Sequence, residues 1–142
     1  MLHQRHRHSS LRGDSGKETA AEDPYTIQAI GALQLKLHAA QALTEKAGRA
    51  IDVAVAGPTA DTVAHAQIVT AEAKVLSTEI AIEAANKLFE LAGTRSTLAE
   101  HRLDRHWRNA RTHTLHDPVR WKYAILGDYV LNGKYPPLHA WS

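Results

Sequence analysis

The chain predicts an all-α fold, an antiparallel four-helix bundle, on three observations. Apolar residues recur at spacings of three and four through two stretches of more than thirty residues. A Gly57-Pro58 break separates those stretches, and no run alternates as a half-buried strand would. The first helix opens at Asp23-Pro24, with the aspartate as N-cap and the proline at the first helical position, where a missing N–H costs nothing. Its apolar face runs through Ile27, Ile30, Leu33, Leu37, Ala40, Leu43, Ala47, Ile51 and Ala54. The second begins at about Thr59, carries Val63, Ala66, Val69, Ala73, Leu76, Ile80, Ala84, Leu88 and Leu91 on the same spacing, and stops at Gly93. At 1.5 Å per residue each is roughly 50 Å long, and the short turn between them makes them antiparallel neighbours. Alanine at many stripe positions lets the two axes approach closely but leaves modest buried area per residue, so the pair calls for further partners. After a link at Thr94–Thr97, a third helix is expected over about 98–111, and a fourth from Asp117-Pro118 to Leu131, ended by Asn132-Gly133. Residues 134–142 form an extended aromatic tail. Residues 1–22 have almost nothing to bury and no period, which predicts a disordered tail ahead of a 23–142 bundle.

Composition narrows the chemistry. With 142 residues the chain has room for one ordinary domain. It has no cysteine, which excludes disulfides, thiolate metal sites and a cysteine nucleophile, and fits a cytoplasmic setting. The formal charge is only +2, though ten histidines add positive charge as pH falls through the imidazole range. No apolar run approaches the ~20 residues of a membrane span, and the charged N-terminus lacks the core of a secretory signal. Neither a membrane nor a nucleic acid is the expected partner.

The stretch 102–118 concentrates the reactive side chains. Arg102, Arg105, Arg108 and Arg111 recur every third residue as a cationic stripe, and His113, His116 and Asp117 gather ahead of Pro118. Paired Glu-x-x-His elements of a di-iron bundle are absent from the long helices. His113, His116 and Asp117 could ligate one metal ion, although His-x-x-His arises readily by chance in a histidine-rich chain. The stripe could grip nucleic acid with Trp107 and His106 stacking on bases, but Glu100 and Asp104 can pair locally with His101, Arg105 and Arg108, and that self-paired face is the better reading. A phosphate could be held at Gly93 to Thr97, where Arg95 offers forked donors beside Ser96 and the backbone N–H groups. His116 is either a structural histidine or a proton-transfer group, and Asp117 reads as the N-cap before Pro118.

Three runs carry a family resemblance: Leu91-Ala-Gly-Thr-Arg-Ser-Thr, then Leu103-Asp-Arg-His-Trp-Arg-Asn-Ala-Arg-Thr-His-Thr-Leu-His-Asp-Pro-Val, and Tyr129-Val-Leu-Asn-Gly-Lys-Tyr-Pro. Together they resemble the C-terminal helical domain of the acyl-CoA dehydrogenase superfamily, and within it the flavin-dependent monooxygenase branch that includes dibenzothiophene monooxygenase and sulfur-acquisition oxidoreductases. The resemblance implies a reduced flavin, FMN or FAD, supplied by a separate flavin reductase. It implies oxygen transfer to a sulfur or other heteroatom through a flavin C4a-hydroperoxide. It implies His116 as the catalytic histidine near the flavin ring, His113 close by, and Arg95 with Ser96 at the cofactor. In the dehydrogenase branch a glutamate base stands in the column of Asp117; a shorter carboxylate locked before proline is a poor α-proton base, which favours monooxygenation over acyl-CoA dehydrogenation. The family also implies a homotetramer built through this bundle, and a longer parent whose other domains supply much of the flavin and substrate site. A catalytically silent bundle that acts only in oligomerisation is therefore the alternative expectation.

Overall fold

The computed structural model describes residues 19–138. A 3-10 turn (Ala20–Glu22) leads into α1 (Pro24–Ala56) and α2 (Ala60–Ala92); two more 3-10 turns (Thr94–Thr97 and Ala99–His101) precede α3 (Asp104–His116) and α4 (Val119–Asn132). Among the described residues there is no strand. The disordered-tail expectation concerns residues of which 1–18 lie outside the described ones, as do 139–142 of the aromatic tail.

Both long helices start where their capping residues dictate. Asp23 Oδ2 accepts the Thr26 N–H at 2.7 Å and the Thr26 hydroxyl at 2.8 Å, with Pro24 at the first helical position. Thr59 and Thr62 cap reciprocally: the Thr59 hydroxyl accepts the Thr62 N–H at 3.1 Å, and the Thr62 hydroxyl accepts the Thr59 N–H at 2.9 Å. The helices run antiparallel. Lys36 pairs with Glu83 at 2.6 Å and Lys46 with Glu72 at 3.6 Å, so moving up α1 is moving down α2.

The core lies on α2, which packs against α1, α3 and α4. Its predicted stripe meets α1: Ala66, Val69 and Ala73 are buried together with Ala47 and Ala50, flanked by Leu43 and Ala54. A second buried stripe, Ala64, Ile68, Ala71, Val75, Thr78 and Ala85, has the same three-four spacing. At 100° per residue it lies on the opposite side of the helix, toward α3 and α4. The expected α1 face is buried only in part. Ala40 and Ala47 are inside, whereas Ile27, Ile30, Leu37 and Ile51 are exposed, because no other described element covers that side.

The third helix differs from its expected span of 98–111. The 3-10 turn Ala99–His101 is closed by Arg102 in the left-handed conformation, φ 49°, and α3 starts at Asp104 and continues to His116. An acidic residue in the first turn suits the helix dipole, and proline at 118 holds Asp117 extended and stops the helix. Gly133, with φ 64°, ends α4 as expected. The segment 134–138 folds back along the bundle: the Tyr135 hydroxyl donates to Asp61, Gln67 Nε2 donates to the Pro137 carbonyl at 3.3 Å, and the Tyr135 and Tyr129 rings lie 6.2 Å apart. On α4 the Tyr123 hydroxyl donates to Glu79 of α2. That hydrogen bond is the main cause holding the Tyr123 phenol above its ordinary value of 10.0, and the bond to Asp61 does the same for Tyr135.

Ala73→Leu is expected to overpack the α1–α2 seam and cost about 1–3 kcal/mol in urea unfolding, whereas Thr70→Ala at an exposed position of α2 should stay within about 0.5 kcal/mol. The two phenols are raised in the folded state, so the anchoring they give is fully present below pH 10 and is lost as pH rises through their elevated values. An alkaline unfolding series should therefore show a stability loss above pH 10 that shrinks in the Tyr123→Phe, Tyr135→Phe double variant.

Candidate functional site

The chain leaves α2 through Gly93, whose φ of 76° and ψ of −174° suit a residue without a Cβ. Ser96 then turns inward. It is buried, its hydroxyl donates to the Gly93 carbonyl at 2.6 Å, and its N–H reaches the same oxygen at 3.0 Å. Its side chain thus closes the end of α2, and what it gives the neighbouring Arg95 is a fixed turn. Arg95 stands exposed on that turn.

No residue of α3 is buried. Its arginine row begins at Arg105, since Arg102 lies in the preceding turn. Arg108 pairs with Asp104 at 3.0 Å, and Arg111 Nη1 donates to the Thr114 hydroxyl at 3.3 Å, so the stripe is partly satisfied within its own helix. Glu100 faces His101 at 3.7 Å. His113 and His116 are both exposed in the last turn, three residues apart and therefore neighbours on one face.

Asp117 corrects the sequence expectation. It is not the N-cap of α4; Pro118 holds that position, and the Asp117 backbone is extended at φ −141°, ψ 92°. Its carboxylate instead meets Lys122 Nζ of α4 at 3.0 Å and faces Lys74 Nζ of α2 at 4.0 Å. Lys122 is the only buried residue of α4. Sequence reading missed both lysines. The signal was a lysine on the apolar side of α4, one turn after the proline.

Two grooves open on the surface. One, of about 710 Å³, lies between α4 and the returning segment and is lined by Asp117, Trp121, Lys122, Ile125 and Tyr135 among others. The second, of about 690 Å³, follows α1 and α2 past Ile30, Leu33, Leu37, Ile80 and Ala84. Neither is lined by Arg95, Ser96, His113 or His116. Among the described residues no three histidine or carboxylate side chains converge to hold a metal ion, and no helix is long and apolar enough to cross a membrane. The donor set suits a flavin at its edge: an exposed guanidinium can meet phosphate oxygens and exposed imidazoles can hold or move a proton.

The model of the acyl-CoA dehydrogenase C-terminal domain matches residues 2–121. The chain is 38% identical over 125 residues to a dibenzothiophene monooxygenase of Mycolicibacterium goodii, a match that covers 86% of this chain and 30% of that protein. It is 39% identical over 125 residues to SfnC of Pseudomonas putida, described as a probable FMNH2-dependent monooxygenase, covering 86% of this chain and 32% of that one. The methanesulfinate monooxygenase MsuC of Pseudomonas fluorescens superposes with a TM-score of 0.86 at 40% identity, over 92% of this chain and 34% of that structure. The chain spans just under a third of the length of these curated relatives.

Ser96→Ala is expected to lower stability by about 1 kcal/mol in urea unfolding, because it leaves the end of α2 without its internal donor.

Proposed function

The chain belongs to the acyl-CoA dehydrogenase C-terminal domain family, and we propose that it forms the helical side of a flavin site in a monooxygenase that acts on sulfur compounds. The observation that carries this reading is the identity of 38–40% over 86–92% of the chain to proteins named as monooxygenases of dibenzothiophene and methanesulfinate, and as FMNH2-dependent. FMN is accordingly the flavin to test before FAD. A bound reduced flavin would supply the electrons that activate dioxygen. Arg95 would hold a phosphate of that cofactor, on a turn that Ser96 keeps in shape. His116 would hold or deliver a proton at the flavin ring, with His113 beside it. Acyl-CoA dehydrogenation fits less well: the carboxylate in the base's column is engaged by two ammonium groups, and an α-proton base must be free to reach its substrate.

In this reading the missing side of the site, and exclusion of water from it, come from domains outside this chain. A flavin reductase of the same cytoplasm would deliver the reduced cofactor. The exposed apolar side of α1 supports a homo-oligomer, tetrameric as in the family, built through the long helices. That same surface also supports a second reading, in which the chain associates but performs no chemistry.

The purified chain is expected to have a solution mass several times its 15.6 kDa and to quench FMN fluorescence. Arg95→Ala should weaken FMN binding about tenfold, the loss of one charge-assisted hydrogen bond. An oligomer that leaves FMN unquenched would favour the silent reading, and a monomer that does so would overturn both.

A further inference from the structure

We propose that Lys122 is a positioning residue for His116 and acts through Asp117. The inference rests on the flavin-facing reading of His116, and its starting point is what holds α3 in place. That helix buries no side chain at all, and α4 buries only Lys122. α3 packs against α2, but its end that carries His113 and His116 has no buried residue of its own.

One tie that helps to locate it is the corner that follows. Pro118 makes Asp117 extended, so the chain turns sharply between His116 and the first residue of α4. The Asp117 carboxylate then meets Lys122 Nζ at 3.0 Å, with the Lys122 side chain only 11% exposed, and Lys74 Nζ lies 4.0 Å away on the other side with its side chain 16% exposed. A carboxylate held between an ammonium of α4 and an ammonium of α2 ties the corner to both helices. Removing the Lys122 ammonium leaves the Asp117 carboxylate, whose side chain is 31% exposed, with water and with Lys74 at 4.0 Å, so the corner loses its short tie to α4 and can shift. His116 precedes that carboxylate by one residue and moves with it.

Lys74 stands on α2 one turn before Thr78 of the second buried stripe, and its side chain is 16% exposed. The clamp thus connects α2 and α4 to the residue that follows His116. An arginine at 122 could keep the charge and the reach, whereas a methionine would fill the space without the charge.

The test is the imidazole region of a proton–carbon NMR spectrum of the full 142-residue chain, compared with Lys122→Met, Lys122→Arg and the milder Lys122→Gln. In Lys122→Met the His116 and His113 lines should shift or split, while those of His38 and His65 on the long helices stay in place and helix content is kept. Lys122→Arg should restore the original His116 line. A folded Lys122→Met with unmoved His116 and His113 lines would overturn the proposal, and so would displacement of all four histidines together, which marks general loosening. If Lys122→Met does not fold, Lys122→Gln is judged by the same lines. Adding FMN to the unsubstituted chain tests the underlying reading separately: no change at His116 would count against a flavin-facing histidine, while the clamp would still stand or fall on the variants.

Discussion

A helix with two opposite buried faces keeps only narrow margins for solvation, and α2 is such a helix. Ala66, Val69 and Ala73 meet α1, while Ile68, Ala71, Val75 and Thr78 meet the other side. Small side chains on both faces let neighbours come close, and charged residues are confined to the margins between the faces. There they act as tethers: Glu72 and Glu83 reach lysines of α1, while Lys74 and Glu79 reach Asp117 and Tyr123. The same partition that buries α2 thus decides where the remaining elements can attach.

The site inherits its geometry from this arrangement. Arg95 follows directly from the end of α2, on a turn closed by the buried Ser96. The histidines arrive by a less direct route, on a helix with no buried residue, and are tied back through Asp117, Lys122 and Lys74. The two supports differ in kind, a backbone turn beside the guanidinium and an ion pair one residue beyond the last imidazole.

Much of this was legible in the residues. Asp23-Pro24, Thr59, Gly57 and Gly93 mark the long helices because capping and φ preferences are local. The second face of α2 was harder to see. Its members include a threonine and several alanines, and a helix that is apolar on two sides shows a weak period even where each stripe is regular. Arg102 illustrates another limit: its left-handed conformation broke a charge pattern that reads as one continuous helix through 102–111. Asp117 was misread for a long-range reason, because an aspartate before proline looks like a cap until a lysine of a distant helix is placed beside it. The runs around Arg95 and His116 nonetheless pointed to the family that the match over residues 2–121 then showed.

α2 is the wall shared by the other helices, and α3, with no buried residue, is the least secured of them. Hydrogen exchange of the intact chain tests this directly, because local opening follows how each segment is buried. Amides of residues 64–80 in α2 are expected to exchange last, those of α1 earlier, and those of residues 104–112 in α3 first among the helices. Protection of 104–112 equal to that of 64–80 would contradict the account, as would an α1 that outlasts α2.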